Sequence, residues 1–501
     1  MKHTGTVLPS VIPAPHTSRM TCRRLTMPAT VSLETPEAAS AADTLVSYAK
    51  RTHGVYFTVQ PMAGAVGFAR DAAMPSEAYR LTLGDSVTVT AAGGAGWQNG
   101  VSTLIQLMEK AEDAAHLTLP EGEIDDAPGC SWRGLMVDLA RDFHEFPVLL
   151  EYVDLCRFYK IRTLHLHFTD DQSYTLPSRA FPRLSTPGRS YTEEEIRELV
   201  AYAARRDVLL MPEIDVPGHC ASFAQGYGDV FGTDGIICQS EQSMACMEAL
   251  FRELCGMFPN SPYIHIGGDE ATISKWTECE KTLAACRARG VDVDAYLARE
   301  RGRDELAQLL YASFIRRTAE AVLSCGAVLA CGRTPVVWEG FGAAVNSVIP
   351  PETVVMSWEN YYQVTPSLRD AGFRLINCSW SPLYVVAPDV HWTPEQVYEW
   401  NVYRWQPVHG GSPYIKTGLT IPPTEQVEGG QLLAWGDRIM NAFPDDLRAG
   451  VRAEQKLLEE RIPALAENTW NREKLSDFAE FSTRYTRVTG LYECFRTRQG
   501  Q

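Results

Sequence analysis

The 501-residue sequence lacks the features of two broad classes of protein. It has no uninterrupted apolar run approaching the roughly 20 residues that span a bilayer, which excludes a membrane-spanning helix. It also has few basic residues for its acids, with 46 lysines and arginines against 62 aspartates and glutamates, so its formal net charge is −16. Binding to nucleic acids or anionic membranes requires a basic surface. We therefore expect a small-molecule or glycan substrate, and neither a nucleic acid nor a membrane as partner.

The sequence also lacks a secretory signal and a compact cysteine framework. Pro9, Pro13 and Pro15 interrupt the segment in which an apolar signal region would lie. The 13 cysteines are odd in number and scattered along the chain, which is typical of free thiols in a reducing compartment. These features predict a cytoplasmic location. The sequence leaves the oligomeric state open, and a homodimer is compatible with it.

Composition and patterning divide the chain into three parts. Residues 1–27 are rich in proline, threonine and serine, which predicts a disordered leader. Residues 28–124 alternate short β-like runs with helical stretches, which predicts a small α/β domain, and 122–129 has the composition of a linker. Residues 125–501 form the predicted main domain, which should end in helices because apolar residues recur at helical spacing near its end.

The main domain contains eight apolar, β-branched runs, most of them followed by a stretch of helical composition. Such runs alternating with helices indicate a parallel sheet covered on both faces, and eight strands are the number that closes a (β/α)8 TIM barrel. An open doubly wound sheet is the alternative. The runs lie at 134–139, 163–168, 208–214, 263–266, 335–338, 353–357, 373–377 and 431–435.

Polar residues cluster where these runs end. The active site of a TIM barrel forms at the C-terminal ends of its strands. Carboxylates and tryptophans dominate the clusters, and a sugar site needs acids together with flat apolar walls. The clusters are 138–141, 167–172, 213–219, 267–270, 338–339, 358–359, 380–384 and 435–438.

One cluster has a specific pattern, HIGGDE at 265–270. It resembles the H-x-G-G-D-E signature of the family 20 glycoside hydrolases, the β-N-acetylhexosaminidases. Three further segments resemble other strand-end motifs of that family, in the same order: RGLMVDLAR at 133–141, LHLHFTDDQ at 164–172 and MPEIDVPGH at 211–219. Residues 29–119 resemble the small domain that precedes the barrel in that family.

The resemblance implies a retaining exo-glycosidase that removes terminal β-linked N-acetylglucosamine or N-acetylgalactosamine without a cofactor or a metal ion. In the family's substrate-assisted mechanism the sugar's own acetamido oxygen attacks the anomeric carbon through an oxazolinium intermediate. Glu270 would be the general acid and base, Asp269 would hold the acetamido N–H, and Tyr384 would orient the acetamido carbonyl. Because two acids in one partly buried site cannot both ionise cheaply, one proton should be retained, and we expect Glu270 to hold it.

The resemblance also implies a set of substrate-binding residues. Arg133 would bind sugar hydroxyls at the closed end of the pocket, Asp215 and His219 would position and tune the acids, and tryptophans would box in the sugar. Each residue type has a plainer interpretation: a helix N-cap for the acids, an ion pair for Arg133, and core packing for His219 and the tryptophans. The set is Arg133, Asp215, His219, Trp338, Trp358, Trp435 and Asp437.

The chain departs from the family pattern at two positions that contact outer hydroxyls in relatives. Val386 stands where many relatives have Asp or Asn, and Asp437 stands where they have Glu. Asp389 is a candidate to compensate. The preference between the two sugars therefore stays open.

Two other classes of function compete with this interpretation. A metal-dependent barrel hydrolase would use His165 and His167 together with Asp170, Asp171 and His219 as ligands. A non-catalytic carbohydrate-binding barrel would have lost one of the acids, and this chain has kept both.

Overall fold

The computed structural model describes residues 8–326, 332–389 and 391–498, in which a mixed sheet with two helices precedes a closed barrel. The first sheet has eight strands in the order β1-β8-β5-β6-β4-β2-β3, with β7 paired to β8. Its strands are β1 Thr17–Pro28, β2 Thr30–Ser32, β3 Thr58–Gln60, β4 Val66–Arg70, β5 Tyr79–Leu83, β6 Val87–Ala91, β7 Glu109–Lys110 and β8 His116–Asp126.

Helices α1 (Ala39–His53) and α2 (Gly94–Leu107) accompany this sheet, with a 3-10 turn at Pro36–Ala38 before α1. The close approach of α2 to β6 requires a glycine, because a Cβ at Gly100 would lie 2.5 Å from Val89 Cγ1. The predicted small α/β domain is therefore present.

The prediction of a disordered leader at 1–27 is wrong for residues 8–27, while residues 1–7 lie outside the described residues. Ile12 is buried, and its N–H donates to Gln106 Oε1 at 2.8 Å. Strand β1 then pairs antiparallel with β8 over most of its length. The prediction was wrong because it required apolar periodicity for a strand. The side chains of β1 instead form ion pairs with the neighbouring strand, such as Arg19 with Glu123 at 2.9 Å. The segment 122–126, expected to be a linker, is the end of β8.

Eight parallel strands close the barrel, as predicted, since β19 pairs with β15 on one side and with β9 on the other. Each predicted run matches a strand, with ends that differ by a few residues. The strands are β9 Trp132–Asp138, β10 Thr163–His167, β11 Leu209–Glu213, β12 Tyr263–His265, β13 Thr334–Trp338, β14 Val354–Ser357, β15 Arg374–Asn377 and β19 Val427–Ala434, with short strands β16 Tyr384–Val385, β17 Arg404–Trp405 and β18 Leu419–Thr420.

Helices and loops surround the barrel, and two long helices complete the chain. Helices α14 and α15 are joined by an ion pair of Arg484 with Glu467 at 3.0 Å. Within the described ranges, no helix combines the length and the apolarity needed to cross a membrane. The helices are α3 Phe146–Phe158, α4 Glu193–Arg205, α5 Ala221–Phe231, α6 Glu241–Met257, α7 Glu280–Ala288, α8 Val293–Leu297, α9 Gly302–Gly326, α10 Thr365–Asp370, α11 Trp380–Leu383, α12 Pro394–Glu399, α13 Ile439–Ala442, α14 Leu447–Trp470 and α15 Phe478–Thr497, with 3-10 turns at Ile273–Thr277 and Ala343–Val348.

Candidate active site

The two predicted catalytic acids follow β12 on a sharply turned backbone. Gly267 and Gly268 have φ values of +71° and +115°. A Cβ at Gly267 would lie 1.9 Å from Asp215 Oδ1, so only glycine fits there. Glu270 itself has a φ of +48°, which is uncommon for a residue with a side chain and is typical of functional sites. The turn leaves Asp269 buried and the Glu270 side chain 55% exposed at the mouth of the barrel.

Four predicted aromatic residues form one box beside the acids. The ring centroid of Tyr384 lies 6.3 Å from that of Trp358 and 6.2 Å from that of Trp435. Trp435 lies in turn 5.9 Å from Trp338. Trp380, from a cluster at a strand end, stacks on Tyr384 at 4.7 Å with an interplanar angle of 11°. The box therefore has the flat apolar walls that a sugar ring requires.

Buried hydrogen bonds fix the tryptophans of the box. Trp338 Nε1 donates to Glu213 Oε1 at 2.7 Å, and Trp358 Nε1 donates to the backbone carbonyl of Glu339 at 3.2 Å. The Trp435 indole nitrogen is buried and has no hydrogen-bond partner among the described residues. Buried polar groups are rarely left unpaired in proteins, which is consistent with a ligand group completing this wall.

Glu270 lies at the exposed end of a chain of alternating carboxylates and imidazoles. His219 Nε2 lies 3.5 Å from Glu270 Oε2, and His219 Nδ1 lies 3.3 Å from Asp170 Oδ1. Asp170 Oδ2 lies 3.1 Å from His167 Nε2, and His167 Nδ1 lies 2.6 Å from Glu213 Oε2. We name Glu213, His167, Asp170, His219 and Glu270 the carboxylate-imidazole chain. It connects the tryptophan wall with the exposed acid.

His167 is the charged centre of this chain. Both of its ring nitrogens lie against carboxylates, so both donate hydrogen bonds when the ring is protonated. Burial lowers the pKa of His167, but the charge of Glu213 and the hydrogen bonds with Asp170 and Glu213 outweigh it and raise that pKa well above its usual value. Sequence reasoning considered His167 only as a metal ligand.

The same geometry argues against the metal-site alternative. His165 Nε2 lies 2.9 Å from Glu213 Oε2, and Gln431 donates to His165 Nδ1 at 3.0 Å. The nitrogens of His165 and His167 are therefore both engaged with protein groups. A metal ion would have to displace several buried hydrogen bonds to reach them.

The two acids and the two groups next to them, Asp215 and His219, have shifted pKa values. Burial, and next the charge of Asp269, raise the pKa of Asp215 well above its usual value. Burial also raises the pKa of Asp269, with the charges of Glu270 and Glu213 acting in the same direction. The hydrogen bond with His219 lowers the pKa of Glu270, and the pKa of His219 is raised by Asp215 and Asp170 in spite of burial. Of the two acids, it is Asp269, and not Glu270 as expected, whose pKa is raised. The lowered pKa of Glu270 and the raised pKa of His219 together favour a protonated His219 beside an ionised Glu270 in the free protein.

The prediction that Arg133 binds sugar hydroxyls is wrong. Arg133 lies near the start of β9, five residues from the strand end at Asp138, which is about 16 Å at the usual rise of a strand. It is buried, forms an ion pair with Glu77, and donates to the carbonyls of Lys160 and Cys130 at 3.0 Å and 2.7 Å. Arg133 therefore joins the N-terminal domain to the opposite end of the barrel, in the structural role that was the alternative.

Arg141, rather than Arg133, brings a guanidinium to the site. Its Nη2 lies 2.7 Å from Asp170 Oδ2 and its Nη1 donates to Asp138 Oδ2 at 3.2 Å. Its guanidinium carbon lies 4.9 Å from the ring centroid of Trp435. The signal in the sequence was the polar cluster at 138–141, in which Arg141 follows the strand end instead of preceding it.

The positions that depart from the family pattern lie at the rim. Val386 is buried, whereas Asp437 is exposed. Burial raises the pKa of Asp437, and the charge of Arg141 lowers it. Asp389 lies 3.4 Å from Arg438, with which it forms an exposed ion pair.

Sequence reasoning also missed Glu339, which organises the loop after β14. Its carboxylate accepts backbone N–H groups of Asn360 at 2.9 Å, Tyr361 at 2.7 Å and Tyr362 at 3.2 Å. A glutamate after an apolar strand carries no signal of this role, because the partners belong to another strand's loop.

Comparison with known proteins agrees with this geometry. The family model "Glycosyl hydrolase family 20, catalytic domain" matches residues 130–473, and "Glycosyl hydrolase family 20, domain 2" matches residues 8–127. A β-hexosaminidase of Akkermansia muciniphila is 32% identical over 63% of this chain and 66% of its own length. A β-N-acetylhexosaminidase of Cellulomonas fimi is 27% identical over 89% of this chain and 84% of its own length.

Solved structures show the same fold. The GH20 β-N-acetylhexosaminidase of Streptomyces coelicolor superposes with a TM-score of 0.75 at 22% identity, covering 98% of this chain and 97% of that one. The family models together cover nearly all of the described residues. The chain therefore belongs to glycosyl hydrolase family 20, the family of the retaining β-N-acetylhexosaminidases.

Proposed function

We propose that Asp269, Glu270 and Tyr384 perform the hydrolysis of terminal, non-reducing β-linked N-acetylhexosamine in this β-N-acetylhexosaminidase. The observation that carries the assignment is the contrast between the two acids. Asp269 is buried and its Oδ1 has no hydrogen-bond partner in the described part of the chain, whereas Glu270 is exposed at the mouth. A buried acceptor beside an aromatic box suits an acetamido N–H. An exposed acid suits the leaving-group oxygen.

The first step forms the oxazolinium intermediate. The acetamido oxygen of the bound sugar bonds to the anomeric carbon while the glycosidic C–O bond breaks, and Glu270 gives its proton to the departing oxygen. Asp269 accepts a hydrogen bond from the acetamido N–H and stabilises the positive charge of the intermediate. This electrostatic stabilisation is stronger in a buried site than in water. Tyr384, stacked between Trp380 and Trp358, would donate to the acetamido carbonyl and aim it.

The second step releases the sugar. A water molecule replaces the aglycone, loses a proton to Glu270 and bonds to the anomeric carbon as the oxazolinium ring opens. Two inversions at one carbon retain the β configuration. The acid is restored for the next cycle.

His219 would supply the proton that Glu270 lacks in the free protein. The two side chains lie 3.5 Å apart. A sugar in the mouth displaces the water that solvates ionised Glu270, and desolvation favours the neutral acid. Substrate binding therefore moves the proton from His219 to Glu270.

Arg141 and Asp437 would bind the outer hydroxyls of the sugar. Arg141 is held by Asp138 and Asp170 over Trp435. The charge of Arg141 lowers the pKa of Asp437, which supports a shared role for the two side chains. Val386 offers no polar group there.

We also propose a cytoplasmic location, supported by the absence of any disulfide among the described cysteines. Cell fractionation tests it. A homodimer stays a prediction that sedimentation equilibrium can test.

Initial rates on aryl β-glycosides of N-acetylglucosamine, N-acetylgalactosamine and glucose test the proposed function. Wild type should cleave only the acetamido sugars, and EDTA should leave the rates unchanged. Glu270→Gln and Asp269→Asn should each lose at least about 100-fold in rate, whereas Glu278→Gln, at an exposed glutamate, should not. Equal cleavage of the plain glucoside, or an active Glu270→Gln, would contradict the assignment.

A further inference from the structure

Tyr361 is an exposed aromatic residue on a firmly held loop. Its side chain is 44% exposed, yet its backbone N–H donates to the buried carboxylate of Glu339 at 2.7 Å. The preceding Asn360 has a φ of +52° and accepts the N–H of Thr365 at 2.6 Å through its side chain. The ring is therefore fixed in place while it remains open to solvent. A side chain that is already ordered loses little entropy when it binds a ligand.

A second loop contacts the same ring. The N–H groups of Val408 and His409 both donate to Glu359 Oε2 at 2.9 Å. The His409 ring lies 4.0 Å from the Tyr361 ring. A Cβ at Gly411 would lie 2.3 Å from Tyr361, so the ring packs directly on a glycine backbone.

Val408 is exposed to the same extent as Tyr361, at 44%. We name Tyr361, Val408 and His409 the rim platform. Two loops that meet at Glu359 thus present two of the few large exposed apolar side chains among the described residues. Single exposed apolar side chains are common on protein surfaces, whereas adjacent ones with polar neighbours are a mark of ligand or partner sites.

The rim platform borders the part of the mouth that contains the acid. Trp358, three residues before Tyr361, forms a wall of the aromatic box. Burial raises the pKa of the Tyr362 hydroxyl, and the charges of Glu270 and Asp269 raise it further. Tyr362 is therefore close enough to both acids to interact with them electrostatically. The aglycone must leave from beside Glu270, which protonates its oxygen.

We propose that the rim platform binds the pyranose ring to which the terminal N-acetylhexosamine is linked, which makes β-linked oligosaccharides the substrate class of this site. The inference rests on the proposed function above. A pyranose has an apolar C–H face that packs on an aromatic ring, and polar edges that suit the imidazole of His409. An acyl chain would require a continuous apolar groove, whereas here the apolar surface is one ring and one valine.

The test compares three glycosides of β-N-acetylglucosamine that differ only in the aglycone: the β-1,4-linked disaccharide of N-acetylglucosamine, the methyl glycoside and the octyl glycoside. Values of kcat/KM are measured for wild type, Tyr361→Ala and Tyr361→Phe. Tyr56→Ala is the matched control, because Tyr56 is 58% exposed in the N-terminal domain.

In Tyr361→Ala we expect the ratio of kcat/KM for the disaccharide to that for the methyl glycoside to fall about tenfold, mostly through KM, as for the loss of one aromatic stacking contact. Tyr361→Phe should keep the ratio, and Tyr56→Ala should change neither rate.

An unchanged ratio in Tyr361→Ala would overturn the proposal, and so would an equal loss on the octyl glycoside, which would show general apolar binding. Equal losses on all three substrates would assign Tyr361 a structural role and would overturn it as well. If wild type cleaved none of the three, the proposed function would fail instead, and the two failures are thereby distinguished.

Discussion

Replacing His219 by glutamine should move the basic limb of the pH profile of kcat/KM, because that limb reports the proton of the free enzyme. In wild type His219 holds the last proton of the His219–Glu270 pair, and its pKa is raised. The proton is therefore lost only at higher pH, and activity should persist above the usual histidine pKa of about 6.5. In His219→Gln that proton can reside only on Glu270, and glutamate has a usual pKa of about 4.3.

The size of the shift follows from the geometry. Unit charges 3.5 Å apart attract by about 1 kcal/mol in water and about 5 kcal/mol in partly buried protein. Because Glu270 is 55% exposed, screening keeps the attraction near the lower end of this range. Removing His219 therefore returns the pKa of Glu270 toward its usual range, and the basic limb should move down by at least about two pH units, the difference between the usual histidine and glutamate values.

Initial rates on an aryl β-N-acetylglucosaminide between pH 3 and 9 measure this shift. At pH 7 the kcat/KM of His219→Gln should be about 100-fold below wild type, and the difference should shrink as the pH falls toward 5. His116→Gln, at an exposed histidine paired with Asp113 at 2.9 Å, is the control. A uniform loss at all pH values, with the basic limb unmoved, would refute the role of His219 as proton donor to Glu270.

Four further substitutions test other parts of the structure. Asp215→Asn replaces a carboxyl whose own pKa is raised well above its usual value by burial and by the charge of Asp269, so Asp215 should already be neutral where Asp269 titrates and the acid limb of the same profile should stay in place; a limb that moves to lower pH would show that Asp215 is charged there. Glu339→Gln replaces one of the two carboxyl oxygens that accept three or more backbone N–H groups by an NH2 donor, so urea denaturation should show a loss of about 2–3 kcal/mol together with a raised KM, and unchanged stability would show that the loop is held otherwise. Arg141→Lys should lower kcat/KM about 10-fold or more with little change in melting temperature, whereas Arg133→Lys should lower the melting temperature and leave the kcat/KM of the folded enzyme intact; the reverse pattern would restore the original assignment of Arg133.

The barrel could be predicted from the sequence because its strands are buried on both faces. Such strands are continuous apolar runs, and the carboxylates that follow them stand out, as at Asp269 and Glu270. The aromatic box could also be predicted, since Trp338, Trp358 and Trp435 each lie at or just beyond a strand end. A structural element could therefore be predicted wherever its buried residues form a regular pattern within one continuous segment.

Features that depend on distant partners could not be predicted in this way. Strand β1 is stabilised by pairing with β8 about one hundred residues away, and its own sequence is mostly polar. The role of His167 depends on Glu213 and Asp170, which lie on other elements. Arg133 and Arg141 are both arginines of one motif, but Arg133 lies near the start of β9 and has a packing role, whereas Arg141 lies beyond its end and belongs to the site.

The central claim is that the substrate's own acetamido oxygen is the nucleophile, with Asp269 and Glu270 supporting it. The most direct measurement is kcat/KM for aryl glycosides whose N-acetyl group carries zero, one, two or three fluorine atoms. Each fluorine weakens the carbonyl oxygen as a nucleophile, so kcat/KM should fall steeply and progressively across the series in wild type. A flat series would contradict the account and would require a nucleophile supplied by the protein.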